Sequence, residues 1–186
     1  MSNLRITVLS TILSVAGAGA CKSGESGTSA TAELKPLGAS GVDGDVTFTP
    51  SGGGVRVEAR IRGLSPGDHG IHIHEFGVCS QPDGKAAGEH FNPDHIEHGA
   101  PDASRHHAGD LGNVVGAGAD KLTTIDVKFQ GFTLDAGPRG ILGRSLVVHA
   151  EPDDYTAQPA GNSGARIACG VIRATRGETQ VVEPAK

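Results

Sequence analysis

The sequence predicts an all-β fold, an antiparallel β-sandwich or flattened barrel with two long functional loops. The 186 residues include 29 glycines and 10 prolines but no tryptophan. Such a composition favours short strands joined by turns over a helical bundle. Several segments alternate apolar and polar residues with a period of two, which is typical of half-buried strands. The length favours a single domain.

The predicted strands follow one another along most of the chain. In the clearest, residues 54–64, four apolar side chains alternate with charged ones. Residues 44–50 also alternate, and the glycine-rich residues 51–54 between the two segments predict a hairpin turn. Further strands are predicted at the Ile-His segment beginning at residue 70, around 125–129, at 141–150 and at 166–173. The expected arrangement is antiparallel.

Two segments do not fit as strands and are predicted to be functional loops. Residues 78–121 are long, polar and rich in glycine, histidine and aspartate, and residues 150–165 form a second irregular segment. Long loops are uncommon in compact domains and often carry function.

The N-terminal residues are predicted to direct export. Arg5 precedes the apolar residues 6–20, a run too short for a typical membrane span. Residues 1–20 are therefore interpreted as a signal peptide. The small residues before Cys21 resemble a bacterial lipoprotein signal, in which Cys21 carries a lipid that anchors the protein to a membrane. Plain secretion and a merely disordered tail are the alternatives. Either form of export predicts a periplasmic or cell-surface location.

The rest of the chain divides into three parts. Residues 21–33 are rich in serine, glycine and threonine and are predicted to be a flexible tether. The folded domain is predicted at residues 34–173, and residues 174–186 are predicted to be a polar C-terminal tail.

The three cysteines also favour export. An odd number in an exported chain needs an explanation, and lipidation of Cys21 supplies one. Cys79 and Cys169 are then left to pair in an oxidising compartment. Two free buried thiols are the alternative.

The charge excludes one class of partner. The formal net charge is −5 and no block of basic residues is visible, so nucleic acid is not an expected partner.

The segment 70-GIHIHEFGVC-79 predicts a metal site. Successive side chains on a strand point to opposite faces. Ile71 and Ile73 are therefore expected to enter a core, and His72 and His74 to stand side by side on the other face. The alternative is a pair of histidines on a solvated strand.

Histidines are concentrated in one part of the chain, since eight of the nine lie between residues 69 and 107. The first loop carries His90, His98, His107 and Asp110, and three imidazoles with one carboxylate suit tetrahedral zinc. A solvated polar loop is the alternative. His149 by itself is typical of a core histidine. With His72, His74 and a loop histidine it completes a set of four imidazoles that suits copper(II).

Five motifs resemble the copper–zinc superoxide dismutase family: HGIHIHEFGVC, GEHFNP, HHAGDLGN, LVVHAEPDD and GNSGARIACGVI. Their order and spacing match over about residues 34–173. The resemblance implies a Greek-key β-sandwich, a fold this family is known for, with copper and zinc as cofactors. The short second loop resembles the bacterial branch, which leaves the oligomeric state open.

The resemblance also implies the metal ligands. Those for copper are His72, His74, His90 and His149, and those for zinc are His90, His98, His107 and Asp110. His90 bridges the metals. His107 is preferred to its neighbour His106 because the family motif is His-x-Gly-Asp.

Other roles follow from the same resemblance. Asp153 is the outer carboxylate that links the two ligand sets, with Asp154 as its rival, and Cys79 and Cys169 form the family's disulfide. Arg166 lies at the mouth of the copper channel, unless it is an ordinary strand-edge cation. Two histidines have no metal role: His69 is expected to be structural and His95 exposed.

The implied activity is dismutation of superoxide anion to oxygen and hydrogen peroxide by a redox-cycling copper bridged to zinc through His90. Arg166 and His90 are the expected catalytic residues. The alternatives are a surface protein that buffers copper and zinc without turnover and a structural module that has lost its metals.

Overall fold

The computed structural model describes residues 28–175 and confirms the all-β prediction. It contains nine strands and one short 3₁₀ helix, Lys85–Ala87. The strands are β1 Ala30–Pro36, β2 Asp43–Ser51, β3 Gly54–Arg62, β4 Gly67–His74, β5 Asp110–Gly116, β6 Thr123–Phe129, β7 Ser145–His149, β8 Arg166–Val171 and β9 Arg173–Ala174.

All strand pairs in the named ladders are antiparallel, and the strand order is β5-β4-β7-β8-β1-β2-β3-β6, with β9 beside β1. Strand β6 joins β3, and β7 returns to β4, so the chain crosses between the two halves as in a Greek key. The topology places β4 next to β7. This brings the Ile-His segment beside the strand that ends in His149.

The β2–β3 hairpin turns where the sequence predicts. Ser51 pairs with Gly54, and the two residues between them, Gly52 and Gly53, have φ values of 47° and 81°. Positive φ at both central positions is the conformation of a two-residue hairpin turn, and glycine adopts it without steric cost.

The core lies between the two halves of the sheet. It is built from the apolar members of the alternating strands, and Phe48, Ile61, Ile73 and Leu146 are fully buried in it. Each such side chain contributes about 1.5–3 kcal/mol relative to exposure. The barrel is therefore a rigid frame, and β4 and β7 can hold imidazoles at fixed positions.

The folded domain begins earlier than predicted. The predicted tether, residues 21–33, and the predicted domain start at 34 are wrong at this boundary, because β1 begins at Ala30. Ala30 and Ala32 are buried whereas Thr31 and Glu33 are exposed. The period of two was hidden by small, polar residues that are also typical of linkers.

The first predicted loop contains a strand. Within residues 78–121, β5 pairs with β4 from Gly67↔Gly116 to His72↔Asp110, with an irregularity in the register between Gly70 and His72. The alternation of buried and exposed residues is lost in β5, because Leu111 and Val114 are both buried although they are three residues apart. A β-bulge shifts side chains between faces in this way.

The predicted strand at 141–150 is too long. Only Ser145–His149 is a strand, and residues 142–143 form a turn in which Gly143 has a φ of 84°. This left-handed conformation interrupts the extended backbone.

Some predictions lie outside the described residues: the signal peptide 1–20, the lipidation of Cys21 and tail residues 176–186. Within the described range, Ala174 pairs with Ala30 in β9, so the start of the predicted tail belongs to the sheet. No helix in residues 28–175 is long and apolar enough to cross a membrane.

The predicted disulfide is confirmed. Cys79 and Cys169 are bonded, with 5.6 Å between their Cα atoms. The bond ties the segment after β4 to β8, and it packs with Leu37, Ala87 and Val147 in a small second core.

Replacing both cysteines by serine is expected to lower the free energy of unfolding by about 4–5 kcal/mol. The bond links residues 90 apart in sequence, and closing so long a loop removes much entropy from the unfolded chain. Denaturant titration of the double variant beside the oxidised protein measures the difference. An unchanged transition midpoint would contradict the expectation.

Candidate metal centre

Four imidazoles meet where β4 and β7 end beside the first loop. We call His72, His74, His90 and His149 the four-histidine cluster; one ligand atom from each lies within 4.8 Å of the others. His72 and His74 come from β4 and His149 from the end of β7, while a backbone bridge between His74 and His90 holds the loop against the strand. The cluster therefore depends on a non-local strand pairing.

The side chains of the Ile-His segment point to opposite faces of β4 as predicted, but both faces are buried. Ile71 and Ile73 enter the apolar core, and His72 and His74 lie on the opposite face in the cluster. That second face is also closed, since both imidazoles are 0% exposed. The loops cover it, so this strand is buried on both sides and is not solvated.

A second cluster lies directly beside the first. We call His90, His98, His107 and Asp110 the mixed cluster; its ligand atoms also lie within 4.8 Å of one another. The Asp110 carboxylate is its centre, at 2.9 Å from His90 Nδ1, 3.0 Å from His98 Nδ1 and 3.3 Å from His107 Nδ1. His90 belongs to both clusters.

Hydrogen bonds decide which nitrogens face inward in the four-histidine cluster. His74 donates its Nδ1–H to the Gly88 carbonyl oxygen at 3.0 Å. Its Nε2 is then free for the cluster, where it lies 3.3 Å from His149 Nε2. Two imidazole nitrogens that face each other at this distance are well placed to share one cation.

Unpartnered nitrogens show that the clusters fit metal ions. His72 Nδ1 is buried and has no hydrogen-bond partner, and His107 Nδ1 is buried with only a long contact of 3.3 Å to the Asp110 carboxylate. A buried polar atom left unsatisfied costs about 1–3 kcal/mol. A metal ion at each cluster would satisfy these atoms, and imidazole with carboxylate is a donor set that zinc and copper accept.

Asp153 connects the two clusters from outside. Its carboxylate lies 3.0 Å from His72 Nε2 and 3.0 Å from His98 Nε2. It also accepts a hydrogen bond from Ser163 Oγ at 3.1 Å. Gly161 leaves room for this contact, because a Cβ there would lie 1.7 Å from Asp153 Oδ1. Such partners fix the orientation and tautomer of ligating imidazoles.

Burial keeps three imidazoles of the four-histidine cluster, those of His74, His90 and His149, uncharged at neutral pH. It lowers the pKa of His90 to about 4 and that of His149 to about 3, and it holds the pKa of His74 well below its usual value. Neutral imidazole is the form that binds metals, so little proton displacement opposes binding here.

In the mixed cluster, hydrogen bonds outweigh burial in setting the pKa values of Asp110 and His98. Burial alone raises the pKa of Asp110, but hydrogen bonds from His107, His90 and His98 outweigh it and hold that pKa well below its usual range. Burial alone lowers the pKa of His98, but hydrogen bonds to Asp110 and Asp153 raise it to about 9. A metal entering this cluster must therefore displace a proton from His98 at neutral pH.

Arg166 stands at the opening to the four-histidine cluster. It lines a cleft of about 380 Å³ together with His74, His90 and His149. Its guanidinium donates to the carbonyl oxygens of Gly84 at 2.8 Å and Gly88 at 2.7 Å. The Gly88 oxygen therefore accepts from both Arg166 and His74, which ties the cation to the cluster.

The residues predicted to lack a metal role lie outside both clusters. His69 is buried and donates its Nδ1–H to the His149 carbonyl oxygen at 2.9 Å, and His95 is exposed. His106 donates to the carbonyl oxygen of His107 at 2.8 Å. Asp154 is exposed, unlike Asp153.

Comparison with known proteins identifies the family. A sequence profile described as "Copper/zinc superoxide dismutase (SODC)" matches residues 42–172. The chain belongs to the copper/zinc superoxide dismutase family. This family uses copper and zinc, and both clusters described above can hold metal ions.

Viral members of the family are close in sequence. A protein named "Putative superoxide dismutase (Cu-Zn)" from Orgyia pseudotsugata multicapsid polyhedrosis virus is 48% identical over 124 residues, which is 63% of this chain and 80% of the viral protein. A protein of the same name from Autographa californica nuclear polyhedrosis virus is 43% identical over 124 residues, covering 63% and 81%.

A solved structure supports the fold of this superoxide dismutase family member. The crystal structure of the clock protein EA4 superposes with a TM-score of 0.71 and 40% sequence identity. The match covers 80% of this chain and 95% of that one.

Two contributors to the centre were not predicted from the sequence. Asn113 accepts the backbone N–H of Asp153 at 2.7 Å and donates to the Asp153 carbonyl oxygen at 3.0 Å, so it positions the second loop. Ser163 is the other, through its bond to Asp153. Both lie in motifs quoted above, Asn113 in HHAGDLGN and Ser163 in GNSGARIACGVI, but no local pattern marks their roles.

Proposed function

We propose that this protein dismutates superoxide to oxygen and hydrogen peroxide, with copper in the four-histidine cluster and zinc in the mixed cluster. The observation that carries the proposal is the position of His90, which contributes to both clusters. A single imidazole with one nitrogen toward each cluster is suited to bridge two metal ions.

The donor sets support this assignment of the metals. Four imidazole nitrogens suit copper(II), whereas three nitrogens and one carboxylate oxygen suit tetrahedral zinc. The mixed cluster is buried throughout. A closed site of this kind is typical of a structural ion.

Copper supplies the one-electron couple that oxidises one superoxide and reduces another. The residues of the chain do the rest. His90 holds its Nδ1 toward Asp110, at 2.9 Å, so its Nε2 is the atom that can hold a proton for the departing peroxide. His72 is fully buried and does not line the cleft, so it closes the cluster on the side away from the opening.

Arg166 attracts the anionic substrate to the opening of the cleft. Superoxide is an anion and the chain carries a formal net charge of −5, so the attraction has to be local. The Arg166 guanidinium is fixed at the opening by Gly84 and Gly88.

The alternative is a surface protein that buffers copper and zinc without turnover. It needs affinity but neither a shared histidine nor a fixed arginine at the opening. Superoxide decay measured with the protein loaded with copper and zinc, beside the protein loaded with zinc alone, separates the two. Rapid decay that requires copper supports the enzyme. Bound copper without turnover would instead support buffering.

The Asp153→Ala substitution is expected to weaken metal binding about 10- to 100-fold. The change removes the carboxylate that orients both His72 and His98, and outer partners of metal ligands commonly have effects of this size. Competition against a metal chelator measures the affinity. Asp154→Ala is the matched control, since Asp154 is exposed. Equal effects of the two substitutions would contradict the role of Asp153.

Substituting the neighbouring residues His106 and His107 one at a time tests which of them binds zinc. The His107→Ala substitution is expected to abolish stoichiometric zinc binding, because His107 points its Nδ1 at Asp110 inside the mixed cluster. His106→Ala is expected to retain zinc. Metal analysis of the two purified variants tests this, and zinc loss from the His106 variant alone would reverse the assignment.

We further propose that the chain is exported, with Cys21 as the lipid anchor. The Cys79–Cys169 disulfide supports an oxidising compartment. The bacterial type is part of the same proposal.

A further inference from the structure

The cleft above the four-histidine cluster carries a second charge besides Arg166. Glu89 lines the same cleft and immediately precedes His90 in the chain. Its side chain is exposed, whereas Arg166 is partly buried. Among the described residues that line this cleft, Glu89 and Arg166 are the only acid and the only arginine or lysine.

Glu89 and Arg166 carry opposite charges, but their side chains do not form an ion pair. The carboxylate of Glu89 acts on the Arg166 guanidinium through space, raising a pKa that burial lowers. Arg166 instead gives its hydrogen bonds to Gly84 and Gly88. Glu89 is therefore a carboxylate held at the opening by its backbone, where Glu75 accepts its N–H at 3.1 Å.

We propose that Glu89 is a charge filter at this opening, which admits monovalent anions and holds back divalent ones. It offsets only part of the attraction by Arg166, because Glu89 is exposed and screened by water whereas Arg166 is partly buried. The repulsion of an anion by Glu89 grows in proportion to the charge of the anion. A small monovalent anion such as superoxide is penalised least, and hydrogen phosphate twice as strongly in free energy.

This inference rests on the proposed function, which places copper in the cluster, but its test does not require turnover. Azide binding to the copper- and zinc-loaded full chain is followed by the change in the copper(II) absorption spectrum at low ionic strength and pH 8. Phosphate, divalent at this pH, is measured by its competition with azide. Glu89→Gln is compared with Glu97→Gln, which changes the net charge equally but lines the neighbouring cleft on the side of the mixed cluster.

Glu89→Gln is expected to raise azide affinity on the order of threefold, the size expected when one like charge is removed from the edge of a water-filled cleft. Phosphate affinity should rise by about the square of that factor, on the order of tenfold. Glu97→Gln should change neither. Equal changes in the two variants, or equal factors for azide and phosphate, would overturn the filter. Normal azide binding without superoxide decay would overturn the proposed function alone, and an unchanged electron paramagnetic resonance spectrum verifies that His90 has not moved.

Discussion

The His149→Ala substitution is expected to abolish copper-dependent superoxide decay, with a loss of at least about 100-fold. His149 Nε2 lies 3.3 Å from His74 Nε2 in the four-histidine cluster. Removing an outer partner of a ligand commonly costs 10- to 100-fold, so removing a proposed ligand itself should cost at least that much. The measurement is the second-order rate of superoxide decay by the copper- and zinc-loaded variant.

Zinc content distinguishes a specific loss from unfolding. The mixed cluster does not include His149, so the variant should retain zinc. His95→Ala is the matched control, because His95 is an exposed histidine outside both clusters. A His149 variant that binds zinc and turns over superoxide at the original rate would contradict the copper assignment.

The Arg166→Glu substitution is expected to lower the second-order rate about 10- to 100-fold at low ionic strength. The change replaces attraction by repulsion at the opening of a cleft, where charge has its largest influence on an entering anion. Stopped-flow measurement at several salt concentrations gives the rate. With glutamate at position 166 the rate should rise with salt, because screening weakens the repulsion.

Arg166→Lys is the informative control. It keeps the positive charge but cannot reproduce the paired hydrogen bonds to Gly84 and Gly88, so a smaller loss is expected. An Arg166→Glu variant with an unchanged rate at low ionic strength would exclude a role of this residue in attracting the substrate.

Local signals in the sequence predicted most of the frame. The alternation in β3 and the glycines between β2 and β3 fix a hairpin through nearest-neighbour chemistry. The start of β1 resembles a tether in sequence because its buried residues, Ala30 and Ala32, are small and carry little apolar surface. Strand β5 is not evident in the sequence because its bulge removes the period of two.

The candidate centre was predicted less by local chemistry than by the motifs of a family. Nothing in the residues near His149 shows that it meets His74, since that contact depends on the pairing of β4 with β7. Residue type and spacing did favour metal binding in the first loop. The roles of Asn113 and Ser163 depend on how the second loop folds back over the clusters, which no local pattern encodes.

The central claim is that His90 is shared by copper and zinc. Crystals of the fully loaded protein, with anomalous diffraction recorded at the copper and zinc absorption edges, test it most directly. We expect copper among His72, His74, His90 and His149, and zinc among His98, His107, Asp110 and the same His90. One mixed metal position, or two metals with no common contact to His90, would contradict the account.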